Sequence, residues 1–446
     1  MAYAPTSAPD RRLDCPPKSR KIVDDTASPT ATLALGEPLM PLRHPHVLDP
    51  DATDIQAEGA VLRERGPATP IDLPGQVTAW AVTDPGLLRR LLTDQRVSKD
   101  PRQHWPAWIA GEIPPDWPLV TWVAVASMGT AYGQDHRRLR SLVSGTFTAR
   151  RIAALRPEIE QIVTALLDDL ASDAGGAPVD LRERFAHPLP IEVICRLVGF
   201  PDDGSRTRLR QIVDITFDTT TEPGEMAASM GEAQELFAGL VAAKSREPGD
   251  DLVSAMLVAR DENDSRLSEA ELINMIFLLL GAGHETTVNL LDHAIAALLT
   301  QRDQLDLVLT GRCSWHDVIE ETLRWQAPVA NLPLRYAIED IELDGLTIRR
   351  GEPILAAYAA AGRAPDRHDD ADRSDITRPD KEHLAFGHGV HFCLGSSLAR
   401  LEAEVALPAL FDRFPDLTLA VAPNRLRPLA SFISNGHLEL PVRLTP

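Results

Sequence analysis

Ten residues from Phe386 to Gly395, FGHGVHFCLG, place one cysteine behind two glycines and ahead of a third. A thiolate is a nucleophile and a metal ligand, and Gly387, Gly389 and Gly395 would let a bulky group approach the backbone closely. The residues after Cys393 read as a helix, whose unpaired first N–H groups and positive dipole end would favour the thiolate. Cys195 and Cys313 have no such surroundings and read as inert buried residues. A second stretch, AELINMIFLLLGAGHETTVNLLDHAIAALL, predicts a helix of about 45 Å at roughly 1.5 Å per residue. Within it Ala282 and Gly283 precede Glu285, Thr286 and Thr287 in an otherwise apolar run. Two readings are open: small residues for close packing with a back-bonded threonine, or a locally opened groove where a hydroxyl and a carboxylate deliver protons. In DVIEETLRWQAP, Glu321 and Arg324 are three apart on one helical face, ordinarily a weak surface pair.

These residues need elements to carry them. The first forty residues, rich in Pro, Ala, Ser and Thr without periodicity, read as a flexible extension over 1–40, leaving 41–446 as one domain. PATPIDL and VTAWAVT read as strands between turn signals. From Pro85 to about Leu309 apolar residues recur three and four apart, which predicts helices. A Pro- and Trp-rich connection interrupts them between about Val97 and Gly133, and connections of that length are usually functional or disordered. IELDGLTIRRGEPILA reads as two strands about a glycine turn, followed by a loop, one more helix (SSLARLEAEVALPALFDRF) and final strand-like pieces. The outline is mainly α with small β-sheets near both ends.

Composition excludes several classes. With 65 acidic and 45 basic side chains among 446 residues, the formal charge is −20. That disfavours nucleic acid, whose phosphates need clustered Lys and Arg. The four cysteines are far apart and form no C-x-x-C pair, so neither structural zinc nor a disulfide framework is expected. The cysteine usage and the lack of a signal-peptide core or bilayer-length apolar run predict a cytoplasmic protein without a membrane anchor.

Phe386, Gly387, Gly389, His391, Cys393 and Gly395 match the F-G-x-G-x-H-x-C-x-G loop of the cytochrome P-450 family, and from residue 45 onward the chain resembles its soluble bacterial members. AGHETT is similar to the family's A/G-G-x-D/E-T motif, and Glu321 with Arg324 to its E-x-x-R pair. The resemblance implies a triangular prism of about a dozen helices, with haem b between the long central helix and the helix after Cys393. It implies Cys393 as axial iron ligand, Thr286 as oxygen-pocket hydroxyl with Glu285 as its acidic neighbour, and O2 as co-substrate. His136, Arg140, Arg335 and His391 match the positions that hold the haem propionates. The stretch AGRAPDRHDDADRSDITR departs most from the family pattern: Gly362 and Ala364 flank Arg363, and Ser374 replaces an aromatic, while Arg373 matches the arginine expected to complete the Glu321–Arg324 network. By the same resemblance the substrate pocket would include Trp105, Trp108, Trp117, Trp122, Met128, Phe277, Ala282, Val329, Asn331 and Phe432. The four tryptophans could equally anchor the connection by packing.

The implied reaction is oxidation of an organic small molecule, most simply hydroxylation, with electrons from a ferredoxin and its reductase. Oxidative coupling or ring closure stays open, as does a non-catalytic haem-thiolate sensor or carrier. An acidic ferredoxin would need local positive charge near Cys393, for which Arg137, Arg138 and Arg400 are candidates.

Overall fold

The computed structural model describes residues 44–446 except 146, 173–176, 202–203, 261–264, 344 and 445–446; the expected extension over 1–40 lies outside the described residues.

The longest element follows from its start signal and its composition. Ser268 caps the backbone N–H of Glu271 and the Glu271 carboxylate reaches back to the Ser268 N–H, a reciprocal capping box. From there the central helix runs over Glu269–Thr300, 32 residues without proline. Side chains are buried on all its faces from Asn289 to Leu299, as expected of a helix crossing the interior. We label the elements that position the site α1 (Gly133–Ser144), α2 (Pro188–Val198), α3 (Ser205–Phe217), α4 (the central helix), α5 (Trp315–Trp325) and α6 (Ser396–Arg413). Helices α2, α3, α5 and α6 all pack against α4. Just before α2, residues Arg182–Ala186 form a π-helical turn that also contacts α4.

The two strands expected early in the chain form, as Ala68–Leu73 (β2) and Val77–Val82 (β3), after a short β1 at His46–Val47. Val97–Ser98 (β4), Asn331–Ala337 (β5) and Pro353–Ala357 (β6) complete a six-stranded sheet of order β1-β2-β3-β6-β5-β4. Strand β6 runs parallel to β3 (Trp80 opposite Ile354) and antiparallel to β5. IELDGLTIRRGEPILA therefore holds three strands rather than two: a hairpin of Ile341–Leu343 with Leu346–Ile348, then β6 in the larger sheet. The hairpin pattern hid β6 because PILAA is buried at every position and has no alternation to read.

The Pro- and Trp-rich connection is ordered into short helices at Pro101–His104, Pro106–Ile109 and Val120–Ala124. Its tryptophans explain why. Trp105 and Trp117 are buried, their rings 5.6 Å apart, and Trp105 stacks on Tyr336 of β5 at 5.3 Å. The Trp117 indole donates to the Pro74 carbonyl at 2.7 Å, and Trp108 stacks on Trp105 at 6.2 Å.

Candidate active site

The Cys393 loop is built on glycine where the backbone demands it. Gly387 and Gly389 have φ of 69° and 71°, and a Cβ at Gly389 would lie 2.6 Å from the Leu92 carbonyl oxygen. The Cys393 N–H donates to Phe386 O at 2.9 Å and closes the loop. Burial pushes the Cys393 thiol up, against hydrogen bonds from the Gly395 and Ser396 amides and the charges of Arg140 and Arg400. The helix N-terminus therefore acts in the expected direction, but burial outweighs it. Coordination by a metal would deprotonate such a thiol outright.

Above the loop lies a cavity of about 340 Å³ that reaches from Cys393 to Trp122. Thr286 lines it, with Gly281, Ala282, Gly283 and Thr287 of α4. The Thr286 hydroxyl donates to Ala282 O at 2.7 Å, so this threonine is both back-bonded and cavity-facing. Glu285 is turned elsewhere. It is buried, its Oε1 accepting from Arg182 at 3.0 Å and from the Ser434 hydroxyl at 2.9 Å, and it is not among the cavity-lining residues.

One wall of the cavity carries two guanidinium groups, a lysine and an imidazole. Lys99, Arg140, Arg335 and His391 line it, and the His136 ring lies 4.1 Å behind that of His391. Arg140 donates to Phe392 O at 2.8 Å, Arg335 to the Tyr358 hydroxyl at 3.2 Å and Lys99 to Pro333 O at 3.1 Å. Burial and the nearby Arg335 charge hold the Lys99 ammonium well below its ordinary range; burial and neighbouring cations lower His136 to about 4. His136 Nε2 and Arg335 Nη1 are buried without a partner among the described residues. A wall of donors and cations with buried groups left unpaired fits a dicarboxylate such as the two haem propionates. Lys99 and Tyr358 join the four residues expected here. A lone lysine in VSKDP gave no signal, because lysine is rarely buried.

Below the loop, Glu321 and Arg324 are fully buried rather than a surface pair, joined at 2.7 and 2.8 Å. Arg324 also donates to the carbonyls of Gly362, Ala371 and Arg373 at 2.9–3.0 Å. The arginine expected to complete this network is corrected: Arg373 offers its backbone carbonyl while its side chain is exposed, and Arg378 places Nε 3.5 Å from Glu321 Oε1. The departure at Gly362 has a steric reason, since a Cβ there would lie 2.2 Å from Arg324 O. Neighbouring Glu320 binds Arg400 at 2.6 Å and His383 at 3.2 Å. Burial would raise the Glu320 carboxyl, but those partners hold it down at about 2.

Of the expected pocket residues, Trp122, Met128, Phe277, Ala282 and Val329 line the cavity. Trp105, Trp108 and Trp117 do not, because they pack against the sheet as described. Phe432 is fully buried in that same cluster, and Asn331 Nδ2 donates to the Phe432 carbonyl at 2.7 Å, tying the C-terminal turn to β5 instead of facing the cavity. Of the three candidate docking arginines, Arg138 pairs with Glu271 and Arg400 with Glu320, leaving Arg137 exposed.

Known proteins decide the family. The chain is 47% identical over 401 residues to 2-hydroxy-5-methyl-1-naphthoate 7-hydroxylase of Streptomyces carzinostaticus, covering 90% of this chain and 97% of that one. The chain belongs to the cytochrome P450 family. The family model "Cytochrome P450" matches residues 315–424, which hold the buried Glu321–Arg324 pair and the Cys393 loop of this P450. The solved structure of CYP154A1 from Streptomyces coelicolor A3(2) is 54% identical, with a TM-score of 0.85 over 90% of this chain and all of that one. The 6-deoxyerythronolide B hydroxylase of Saccharopolyspora erythraea is 39% identical, covering 86% of this P450 and 95% of that enzyme. This P450 is accordingly a haem-thiolate monooxygenase that uses O2. Among its described residues no helix is long and apolar enough to cross a membrane.

Proposed function

We propose that this P450 hydroxylates a flat, apolar, polycyclic natural product, using haem b and electrons from a ferredoxin and its reductase. The observation that carries the substrate class is the part of the cavity remote from Cys393. Trp122 meets Phe217 edge-to-face at 4.9 Å, and Met128, Ile194, Val213 and Phe277 extend an apolar lining. Ring edges and branched aliphatic side chains favour a planar apolar face, which aromatic contacts reward beyond area alone. The naphthoate hydroxylase named above supports the same class, whereas the erythronolide hydroxylase acts on a macrolactone by its name.

Bound haem supplies dioxygen activation; the chain supplies the rest. Cys393 would hold the haem iron through its thiolate, while Arg140 and Arg335 would pair with the propionates and His136, His391 and Lys99 would offer them hydrogen bonds. The Thr286 hydroxyl lines the oxygen pocket, with buried Glu285 as its acidic neighbour on the central helix. The apolar lining excludes water and holds the substrate's C–H bond in the pocket. Exposed Arg137, on the α1 face beside the propionate residues, supplies positive charge for a ferredoxin. The free Cys195, Cys313 and Cys393 support a reducing, cytoplasmic setting. Hydroxylation is preferred to ring closure because relatives spanning most of the chain carry hydroxylase names.

Titration with 2-hydroxy-5-methyl-1-naphthoate tests the substrate class through the haem spin-state shift. A saturable shift is expected, weakened about tenfold or more in Trp122→Ala, in line with the loss of one half-buried aromatic anchor. A shift with macrolactones but not with polycyclic aromatics would overturn it.

A further inference from the structure

Beside the cavity, outside its lining, side chains from three elements converge. One ligating atom from each of His187, Asp214, His284 and Glu285 falls within 4.8 Å of the others. His187 stands at the head of α2, Asp214 on α3, and His284 and Glu285 on α4. His284 is fully buried, and its Nε2 lies 3.4 Å from Nδ1 of buried His187, with the rings 5.3 Å apart. That separation is long for a hydrogen bond. It is close to the span of roughly 3.3 Å between two nitrogens that are each ~2.0–2.1 Å from one tetrahedral zinc. The other nitrogen of His284, Nδ1, is buried without a partner among the described residues, so the chain alone serves this ring poorly. Glu285 takes its bonds from Arg182 and Ser434 on Oε1, which leaves Oε2 for a cation. Asp214 is part-exposed and gives an ion a way in from solvent.

We infer that His187, Asp214, His284 and Glu285 bind one zinc ion and so fasten α3 to α2 and α4. This goes beyond the monooxygenase reading and does not depend on it. Two imidazoles with two carboxylates form a mixed nitrogen and oxygen set that suits zinc, whereas magnesium and calcium take oxygen ligands. Metal ligation requires neutral imidazole, and the surroundings supply it: burial and Arg210 hold His284 at about 3, and burial with Arg182 lowers His187 further. Burial and the Glu285 carboxylate push Asp214 up to about 7, and a cation between the two carboxylates would remove their repulsion. The acids nearby, Glu183, Asp214, Glu285 and Asp292, outnumber the guanidinium groups of Arg182 and Arg210 that lie against them, so the ion would reduce an excess of negative charge. Arg182 and Ser434 would fix the orientation of Glu285 as outer partners. The neighbouring group of Asp292, His293 and His437 is less available, because Asp292 Oδ2 already accepts from His437 at 2.9 Å and His293 Nε2 faces the Asn435 carbonyl at 3.1 Å. Val213, Thr216 and Phe217 of α3 line the cavity, so the ion would also set the position of that wall.

The test uses the untagged, haem-loaded protein, stripped of metals with a chelator and then dialysed against micromolar zinc. Metal analysis should find one zinc retained per haem, a readout in which turnover plays no part. X-ray absorption at the zinc edge should show only nitrogen and oxygen neighbours at about 2.0–2.2 Å, with outer scattering from two imidazole rings. Asp214→Asn and His284→Phe should each weaken zinc binding at least about a hundredfold, more than the loss of an outer partner costs. His437→Ala, which breaks the neighbouring group, should bind zinc as the wild type does. Each variant is compared with the thiolate band of its reduced carbon-monoxide complex intact. Should His284→Phe lose haem, Asp214→Asn on the part-exposed side carries the comparison. A wild type that retains no zinc, a sulfur neighbour at the metal, or wild-type zinc affinity in Asp214→Asn would overturn the site. Loss of zinc in His437→Ala alone would overturn it too, by moving the ion to the neighbouring group.

Discussion

Cys393→Ala will lose the red-shifted thiolate band of the reduced carbon-monoxide complex entirely, with all oxygenase activity. Among the described residues no other thiol can substitute. Cys195 is buried in the main apolar core, and burial pushes its thiol up to about 12; Cys313 packs against the edge of that core and does not line the cavity. The loop is shaped for this one side chain, since Gly387 and Gly389 adopt left-handed backbone and Gly389 lies against Leu92. The far-ultraviolet spectrum of the variant should stay helical, because the core around α4 does not depend on the sulfur. A variant that keeps the thiolate band would remove Cys393 as the ligand.

Glu321→Ala will destabilise the fold by about 3–5 kcal/mol, the usual cost of leaving a fully buried charge without its partner. Arg324 would keep its carbonyl bonds to Gly362, Ala371 and Arg373 but lose its counter-ion, and the amide of Asp375 would lose its acceptor at 2.8 Å. That segment leads into the Cys393 loop, so haem retention should fall in parallel. Denaturant unfolding followed by the haem absorbance checks both. Stability within about 0.5 kcal/mol of wild type, typical of surface pairs, would show that the burial of this pair does not carry the energy assigned to it.

The parts of this molecule that sequence made visible are those where one residue type is irreplaceable. Glycine before Cys393 and an acid three before an arginine each have a local physical signature. The side chains' directions were less visible. Glu285 follows the cavity residues in the motif yet points to Arg182, a partner from a π-helical turn about a hundred residues earlier that no local pattern marks. Arg373 and Arg378 sit in the same run of charges, and only the turn geometry brings the second to Glu321. The tryptophans were ambiguous for a related reason: an aromatic ring packs equally well on a substrate or on Tyr336. Lys99 gave no warning because its burial is set by β4 and β5, not by its neighbours in sequence.

The central claim, oxygen insertion at the Cys393-held haem, is tested most directly by isotope incorporation. Turnover of 2-hydroxy-5-methyl-1-naphthoate under oxygen-18 dioxygen should give a hydroxylated product carrying one labelled atom from the gas. A product bearing only water-derived oxygen, or a coupled or ring-closed product without label, would contradict it.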